Sequence, residues 1–157
     1  MTEAQTPAGL TTDLDGLRQN VGRHLGWSSW KEVTQDMVDR FADLTGDHNW
    51  IHVDAQRAAE GPYGTTIAHG YLTLSLVPPL LDELLHVEGV STGINYGLDR
   101  LRFPAPVPVG SRIRVGGELA EVTDVPGGVQ VKLALTFEVE GGAKPACVAE
   151  MLVRCYA

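Results

Sequence analysis

The segment His69-Gly-Tyr-Leu-Thr-Leu-Ser-Leu-Val-Pro-Pro-Leu-Leu-Asp-Glu-Leu-Leu85 decides the fold of this chain. Wound as a helix, it carries apolar side chains on every side, and such a helix is buried on every side. Pro78-Pro79 in its middle remove backbone donors, so a kink is predicted there. We therefore expect a long central helix, from residue 69 or 70 to residue 85, that other parts of the chain cover.

The covering elements are predicted by four later runs in which apolar and polar residues alternate, as in a strand with one buried face. The cleanest run spans residues 129–139, and the others span 147–155, 113–119 and 94–103. In the last of these, Asp99-Arg100 is predicted to form a bulge because the apolar parity changes there. Gly116-Gly117 marks a second expected bulge or bend.

Turn signals at Pro126-Gly-Gly128 and Glu140-Gly-Gly142 join three of these runs as antiparallel neighbours. Helices that precede the strands, rather than alternate with them, are typical of the α+β class. The sequence thus predicts a curved antiparallel β-sheet wrapped around the central helix. A single sheet of this size leaves an open edge, so we also expect dimerisation.

Length and composition limit the domain organisation and the classes of partner. A chain of 157 residues with 43% hydrophobic residues suits one globular domain with a real core. We expect residues 1–13 to form a mobile leader and residues 14–157 to form this domain. The formal net charge of −8 argues against nucleic acid as a partner, although a local basic rim can still bind a phosphorylated ligand.

The N-terminus gives no sign of a targeting segment, because Met1 to Gln5 include no basic residue and no apolar run follows. The apolar run from Tyr71 to Leu85 is too short to span a bilayer and contains prolines and acids. We therefore expect a cytoplasmic protein with no membrane partner. Cys147 and Cys155 would lie roughly 26 Å apart along one strand at ~3.3 Å per residue, so both are expected to be free, buried thiols.

The first candidate site lies where a helix is predicted to end. Thr34 is the predicted N-cap of this helix and Gly46 its left-handed stop, so Asp47 emerges in a turn with His52 five residues on. A carboxylate and an imidazole held together can act as general acid and base. Spacing alone favours the alternative, in which Asp47 and Asn49 stabilise the turn and His52 is a structural histidine.

A metal site built from Asp47, His48, His52 and Asp54 is the second candidate. His48 and His52 have the four-residue spacing of zinc ligands on a helix. The turn-forming Gly46 and Asn49 oppose a continuous helix there, so no metal site is predicted.

Gly70 is the third candidate, because it opens the central helix, where the first amides are unpaired and the helix dipole is positive. A glycine lets a ligand approach the backbone closely, so this N–H is suited to hold a carbonyl oxygen on which negative charge develops. The alternative is that Gly70 only permits tight packing at the start of the helix.

Three segments together resemble the MaoC-like dehydratases, which include the (R)-specific enoyl-CoA hydratases of the hot-dog fold. They are residues 41–55, Ala68-His-Gly-Tyr-Leu72, and Asn95-Tyr-Gly-Leu98 through Phe103-Pro-Ala-Pro-Val-Pro-Val-Gly110. The resemblance extends over most of the chain from about residue 25. Its central motif, Gly-Asp-x-Asn-x-x-His, corresponds to Gly46, Asp47, Asn49 and His52. In this chain Trp50 stands where family members often have proline, and Pro78 stands near the place of a serine found in some of them.

The resemblance implies a homodimer in which Asp47 and His52 bind and activate a water molecule. The water would add to C3 of a trans-2-enoyl-CoA while a proton reaches C2, which gives an (R)-3-hydroxyacyl-CoA. The Gly70 amide would hold the thioester carbonyl, Asn49 would support the loop, and His69 and Tyr71 beside Gly70 would bind or support the substrate. The resemblance implies neither a metal nor an organic cofactor.

Two other functions stay open from the sequence. A hot-dog thioesterase also binds acyl-CoA but would release the free thiol. A non-catalytic subunit would bind the acyl thioester and pair with an active partner, which the presence of Asp47, Asn49 and His52 on one chain opposes. The acyl length, and the choice between coenzyme A and a carrier protein, are not predicted.

Overall fold

The computed structural model of this chain describes residues 9–157. Its strands and helices are, in chain order, β1 (Leu10–Thr12), α1 (Leu14–Gln19), β2 (His24–Trp27), β3 (Lys31–Glu32), α2 (Gln35–Thr45), α3 (Trp50–Val53), α4 (Ala55–Ala59), α5 (Gly70–Ser75), α6 (Val77–Leu81), β4 (Leu85–Val87), β5 (Thr92–Arg102), β6 (Arg112–Val125), β7 (Gly128–Val139) and β8 (Cys147–Tyr156). The helices precede the long strands, which confirms the predicted α+β class.

The main sheet has six strands, all antiparallel to their neighbours. Its order is β2-β6-β7-β8-β5, and the short β3 pairs with the other end of β6. Strands β6 to β8 form the meander that alternation and turn signals predict. Strand β5 lies at the sheet edge and pairs with β8 on one side. Alternate residues of β7, such as Val131, Leu133 and Leu135, are buried on the inner face of the sheet.

One of the two expected irregularities is confirmed and the other is wrong. The register of β5 against β8 shifts between Leu98 and Arg100, where the bulge was predicted. Gly116 and Gly117 instead pair regularly with β7. Glycine is required at 116 for a different reason: a Cβ there would lie 2.7 Å from the ring of Trp27.

The central helix is shorter than predicted and is broken in two. Helices α5 and α6 meet at Leu76, just before the first turn of α6 with Pro78 and Pro79, so the helix is interrupted where the kink is predicted. The predicted extension to residue 85 is wrong, because Leu85 begins β4, which pairs with β1 in a parallel ladder. Backbone pairing with a distant segment has replaced the last helical turn.

The expected burial of this helix on every side is also wrong for a single chain. Leu72, Val77 and Leu80 are buried under the sheet, whereas Tyr71 and the two prolines are exposed. The sheet covers one face, and the opposite face of α5 and α6 stays open beside the edge strand β5.

The expected leader at residues 1–13 lies partly outside the described residues, which begin at residue 9. Within them, Leu10–Thr12 forms β1 and the Leu10 side chain is buried, so the prediction is wrong for this part. The backbone N–H of Leu10 donates to the carbonyl oxygen of Leu84 at 2.8 Å.

The two cysteines have the environment that the sequence predicts. Cys147 and Cys155 are free and buried on the inner face of β8. Burial raises the pKa of the Cys147 thiol to about 12, so the side chain behaves as an apolar core group. Across residues 9–157, none of the helices has both the length and the apolar character needed to cross a bilayer.

Candidate active site

The loop that carries Asp47 begins where helix α2 ends. The Thr34 hydroxyl accepts a hydrogen bond from the Met37 N–H at 3.3 Å, which caps the start of α2. Gly46 closes the helix in the left-handed region, with φ of 80°, and its N–H donates to the Ala42 carbonyl at 2.8 Å. Both caps were predicted, and together they direct Asp47 out of the helix end.

Asn49 joins this loop to the short helix α3. Its backbone N–H donates to Asp47 Oδ1 at 3.3 Å, and its side-chain oxygen accepts from the Ile51 N–H at 3.3 Å. The second bond caps α3, and the single turn of α3 carries His52 into the interior. Trp50 and Ile51 are half-buried rather than fully buried. The Trp50 ring packs against Gly61, where a Cβ would lie 3.1 Å from it.

His52 is held by the carbonyl of an element distant in sequence. Its side chain is 7% exposed, and Nδ1 lies 2.7 Å from the carbonyl oxygen of Ile67. Because a carbonyl oxygen only accepts, Nδ1 carries the proton and donates it. In its neutral form the ring then presents Nε2 as an acceptor, which is the state that a general base requires.

His69 lies against both Asp47 and His52. Its ring is stacked on that of His52, with centroids 3.8 Å apart and planes 25° apart. Its Nε2 lies 3.0 Å from the backbone carbonyl oxygen of Asp47 and 4.0 Å from Asp47 Oδ2. One carboxylate oxygen of Asp47 and one nitrogen of each ring all lie within 4.8 Å of one another.

These spacings suit a shared water molecule. Two hydrogen bonds of about 2.8 Å that meet at a tetrahedral angle on one oxygen span about 4.6 Å. The Asp47 side chain is 55% exposed and His52 is almost fully buried. Of these two side chains, Asp47 is thus open to solvent and His52 is fixed in the interior.

The four residues of the metal hypothesis are not brought together. His48 Nε2 lies 2.9 Å from Asp43, and Asp54 accepts from the Arg57 N–H as the cap of α4. In the cluster of Asp47, His52 and His69, the stacked rings lie in nearly parallel planes 3.8 Å apart. Imidazole lone pairs lie in the ring plane, so two stacked rings cannot both aim at one ion ~2.0 Å away. The geometry does not favour a metal.

A cavity of about 300 Å³ opens beside this cluster. Both His52 and Gly70 line it, which brings two predicted site residues to one space. The other wall is the segment from Phe103 to Val107, and Tyr63, Ile67, Ala68, Thr73 and Ala146 complete the lining.

Gly70 begins α5 next to the ring of Phe103. A Cβ at position 70 would lie 2.9 Å from that ring, so glycine does permit tight packing at the helix start. The first hydrogen bond of α5 runs from the Thr73 N–H to the His69 carbonyl, so the Gly70 amide has no partner within the helix. Tyr71 is 68% exposed, contacts Phe103 edge-on and lies outside the cavity lining.

Three groups of the site were not predicted as such. The Ile67 carbonyl fixes the His52 tautomer, Phe41 packs on His69 with ring centroids 4.8 Å apart, and Phe103 covers Gly70. Phe41 and Phe103 do lie in the segments that carry the family resemblance. No local pattern marks the Ile67 carbonyl, because it acts through its backbone.

Known proteins resemble this chain in sequence and in structure. The family described as MaoC like domain matches residues 17–140. A 3-hydroxyacyl-thioester dehydratase Z of Mycobacterium tuberculosis is 58% identical over 134 residues, which cover 85% of this chain and 89% of that protein. Nodulation protein N of Rhizobium leguminosarum bv. viciae is 42% identical and covers 84% of each chain.

Among solved structures, R-hydratase PhaJ1 from Pseudomonas aeruginosa, in its unliganded form, superposes with a TM-score of 0.69. It is 27% identical and covers 87% of this chain and 81% of that one. This likeness confirms the hot-dog fold that the sequence resemblance implies. The chain belongs to the MaoC-like dehydratase family, and it is a hydro-lyase.

Proposed function

We propose that this enzyme catalyses the reversible addition of water to trans-2-enoyl thioesters, which gives (R)-3-hydroxyacyl thioesters. The observation that carries the proposal is the approach of the Asp47 carboxylate and a His52 ring nitrogen to within 4.8 Å, beside a cavity lined by His52 and Gly70. The names of the dehydratase and of the R-hydratase that resemble this chain support the same chemistry.

In the hydration direction, Asp47 and His52 hold one water molecule between them. One of the two accepts a proton as the water oxygen bonds to C3. The electron pair of the C2=C3 double bond moves toward the thioester oxygen. C2 then takes this proton back from the pair as the C2–H bond forms, so Asp47 and His52 end in the protonation states in which they began. Dehydration is the reverse. General acid–base catalysis of this kind contributes about 10²–10⁴-fold.

The developing charge on the thioester oxygen needs a donor. The Gly70 amide is our candidate, since it lines the cavity and has no partner within α5. One donor of this type contributes about 10²–10³-fold in other enzymes. Asn49 supports the loop through its bonds at Asp47 and Ile51.

We also propose that the working form is a homodimer. The edge strand β5 exposes Ile94, Tyr96 and Leu98. Next to it, a second cavity of about 320 Å³ lies between Leu98 and Met151 and the open face of α5 and α6. A second copy of the chain would cover this apolar surface, and the acyl tail would extend toward it.

The test is turnover by the purified protein with no partner added. A panel of C4 to C16 trans-2-enoyl-CoAs is followed by loss of the enoyl absorbance, and the product is resolved by chiral chromatography. We expect the (R)-3-hydroxy product. Release of free thiol would indicate a thioesterase, an (S)-product would contradict the stereochemistry, and inactivity on coenzyme A and carrier-protein thioesters alike would contradict the proposal.

A further inference from the structure

We propose that His69 is a positioning residue, which fixes Asp47 and His52 relative to each other without touching the substrate. The proposal rests on the proposed function, because it assigns a role within the same reaction. His69 is 4% exposed and is not among the residues that line the cavity. Its contacts go to the two groups that are proposed to hold the water.

The first contact fixes the backbone of Asp47. The Asp47 carbonyl can only accept, so His69 Nε2 carries a proton and donates it over 3.0 Å. Without this bond the loop would be held weakly. The Asp47 N–H lies 3.4 Å from the Thr45 hydroxyl, and the bond from Asn49 to Asp47 Oδ1 stays within the exposed loop. His69 is thus the buried group that ties the Asp47 backbone to the interior.

The second contact fixes the plane of His52. The bond from Nδ1 to the Ile67 carbonyl anchors one atom of this ring, and rotation about that anchor would redirect Nε2. The His69 ring, stacked 3.8 Å away, blocks this rotation on one side. Phe41 packs against His69 in turn, with centroids 4.8 Å apart, and keeps its ring in place.

The remaining ring nitrogen argues against a purely stabilising role for His69. Because Nε2 is the donor, Nδ1 is an acceptor, and within residues 9–157 it is the buried side-chain polar atom that has no hydrogen-bond partner. A buried acceptor without a partner destabilises the folded state. A phenylalanine would keep an aromatic ring there without that penalty, so the histidine is explained by its donor.

The decisive variant is therefore His69→Phe, which keeps an aromatic ring on His52 but removes the donor to Asp47 and the unpaired acceptor. We expect kcat to fall about 10²-fold, as a misplacement of roughly 1 Å does elsewhere. KM should change little, and Tm should stay equal or rise. His69→Gln, whose side-chain amide can donate to the Asp47 carbonyl, should recover part of the lost kcat.

Leu17→Ala is the matched stability control, because Leu17 is fully buried and lies outside the cavity lining. It should lower Tm and leave kcat unchanged. If His69→Phe keeps full kcat, or lowers kcat and Tm together while His69→Gln recovers nothing, the positioning role is overturned.

A measurement without substrate separates this proposal from the proposed function. Histidine-selective ¹⁵N NMR of the unmodified protein should show the proton of neutral His69 on Nε2, and His69→Phe should shift the His52 signals. A proton on Nδ1 would overturn the His69 proposal even if the enzyme is active. Absence of turnover in the unmodified protein, with the expected tautomer present, would instead overturn the proposed function.

Discussion

The Nδ1–H of His52 donates to the carbonyl oxygen of Ile67 over 2.7 Å, and this bond joins the short helix α3 to the strand-like segment before α5. A second hydrogen bond joins the same two segments through the backbone: the Ile67 N–H donates to the Ile51 carbonyl at 3.0 Å. The orientation of the His52 ring is thus set by main-chain atoms, which side-chain substitutions nearby do not remove.

Asp47→Asn is expected to remove most of the activity while leaving the protein folded. The amide keeps the shape of the carboxylate but can neither accept nor return a proton and does not carry the negative charge, so kcat should fall by about 10²–10⁴-fold with Tm nearly unchanged. Asp54→Asn is the matched control, because asparagine caps a helix as well as aspartate does and Asp54 caps α4. Steady-state kinetics of both variants check the prediction, and a fully active Asp47→Asn enzyme would contradict the assigned chemistry.

Gly46→Ala should disturb both stability and catalysis. Gly46 has φ of 80° and open space around it, so the cost is backbone strain of about 1–2 kcal/mol, and relief of that strain would move Asp47. Gly141→Ala imposes the same strain at φ of 75° in open space in the turn after β7. Urea unfolding should show similar losses for both variants, whereas kcat should fall in Gly46→Ala alone. Equal kcat values in the two variants would show that the turn does not orient Asp47.

Gly70→Ala should force the Phe103 ring away from the start of α5. The new Cβ would lie 2.9 Å from the ring, and such overpacking typically costs about 1–3 kcal/mol. Phe103→Leu in the same chain should relieve the clash, so the two substitutions should be non-additive in a double-mutant cycle of unfolding free energies. Additive losses would mean that the ring and the glycine do not interact.

The alternating pattern predicted the long strands, and the capping residues Thr34 and Gly46 predicted both ends of α2, because these signals are local. The end of the central helix was missed because β4 exists only through pairing with Leu10–Thr12, far away in sequence. The spacing of Asp47 and His52 favoured a structural interpretation, and the family motif reversed it. The stacking of His69 on His52 depends on how α3 and α5 pack, which no local pattern expresses.

The exposed pair of His48 and Asp43 should make the stability of the folded protein depend on pH. The hydrogen bond to Asp43 raises the pKa of His48 above 6.5. A raised pKa stabilises the folded state fully below the unfolded value, and the gain is lost as pH rises through the folded value. Asp43→Asn should therefore lower Tm at pH 5.5 and have no effect at pH 8.5. The difference should shrink at high salt, since both groups are exposed, and an equal effect at both pH values would contradict the pairing.

Leu98→Asp should separate the proposed dimer. Leu98 lies on the edge strand and lines the apolar cavity beside α5 and α6, so a carboxylate there would be buried without a partner if a second copy covered it. Val21→Asp replaces a valine of similar exposure that lies between α1 and β2, outside the edge strand, and should leave assembly unchanged. Sedimentation velocity should give twice the chain mass for the unmodified protein and the Val21 variant. A dimeric Leu98→Asp protein would place the interface elsewhere.

Asp47, His52, His69 and Gly70 all come from one contiguous part of the chain, from the end of α2 to the first residue of α5, which contributes no strand to the main sheet. The proposed catalytic and positioning groups and the sheet that supports them therefore lie in separate parts of the chain. Grafting residues 46–70 onto a hot-dog relative of another activity would therefore move all four groups together in one segment.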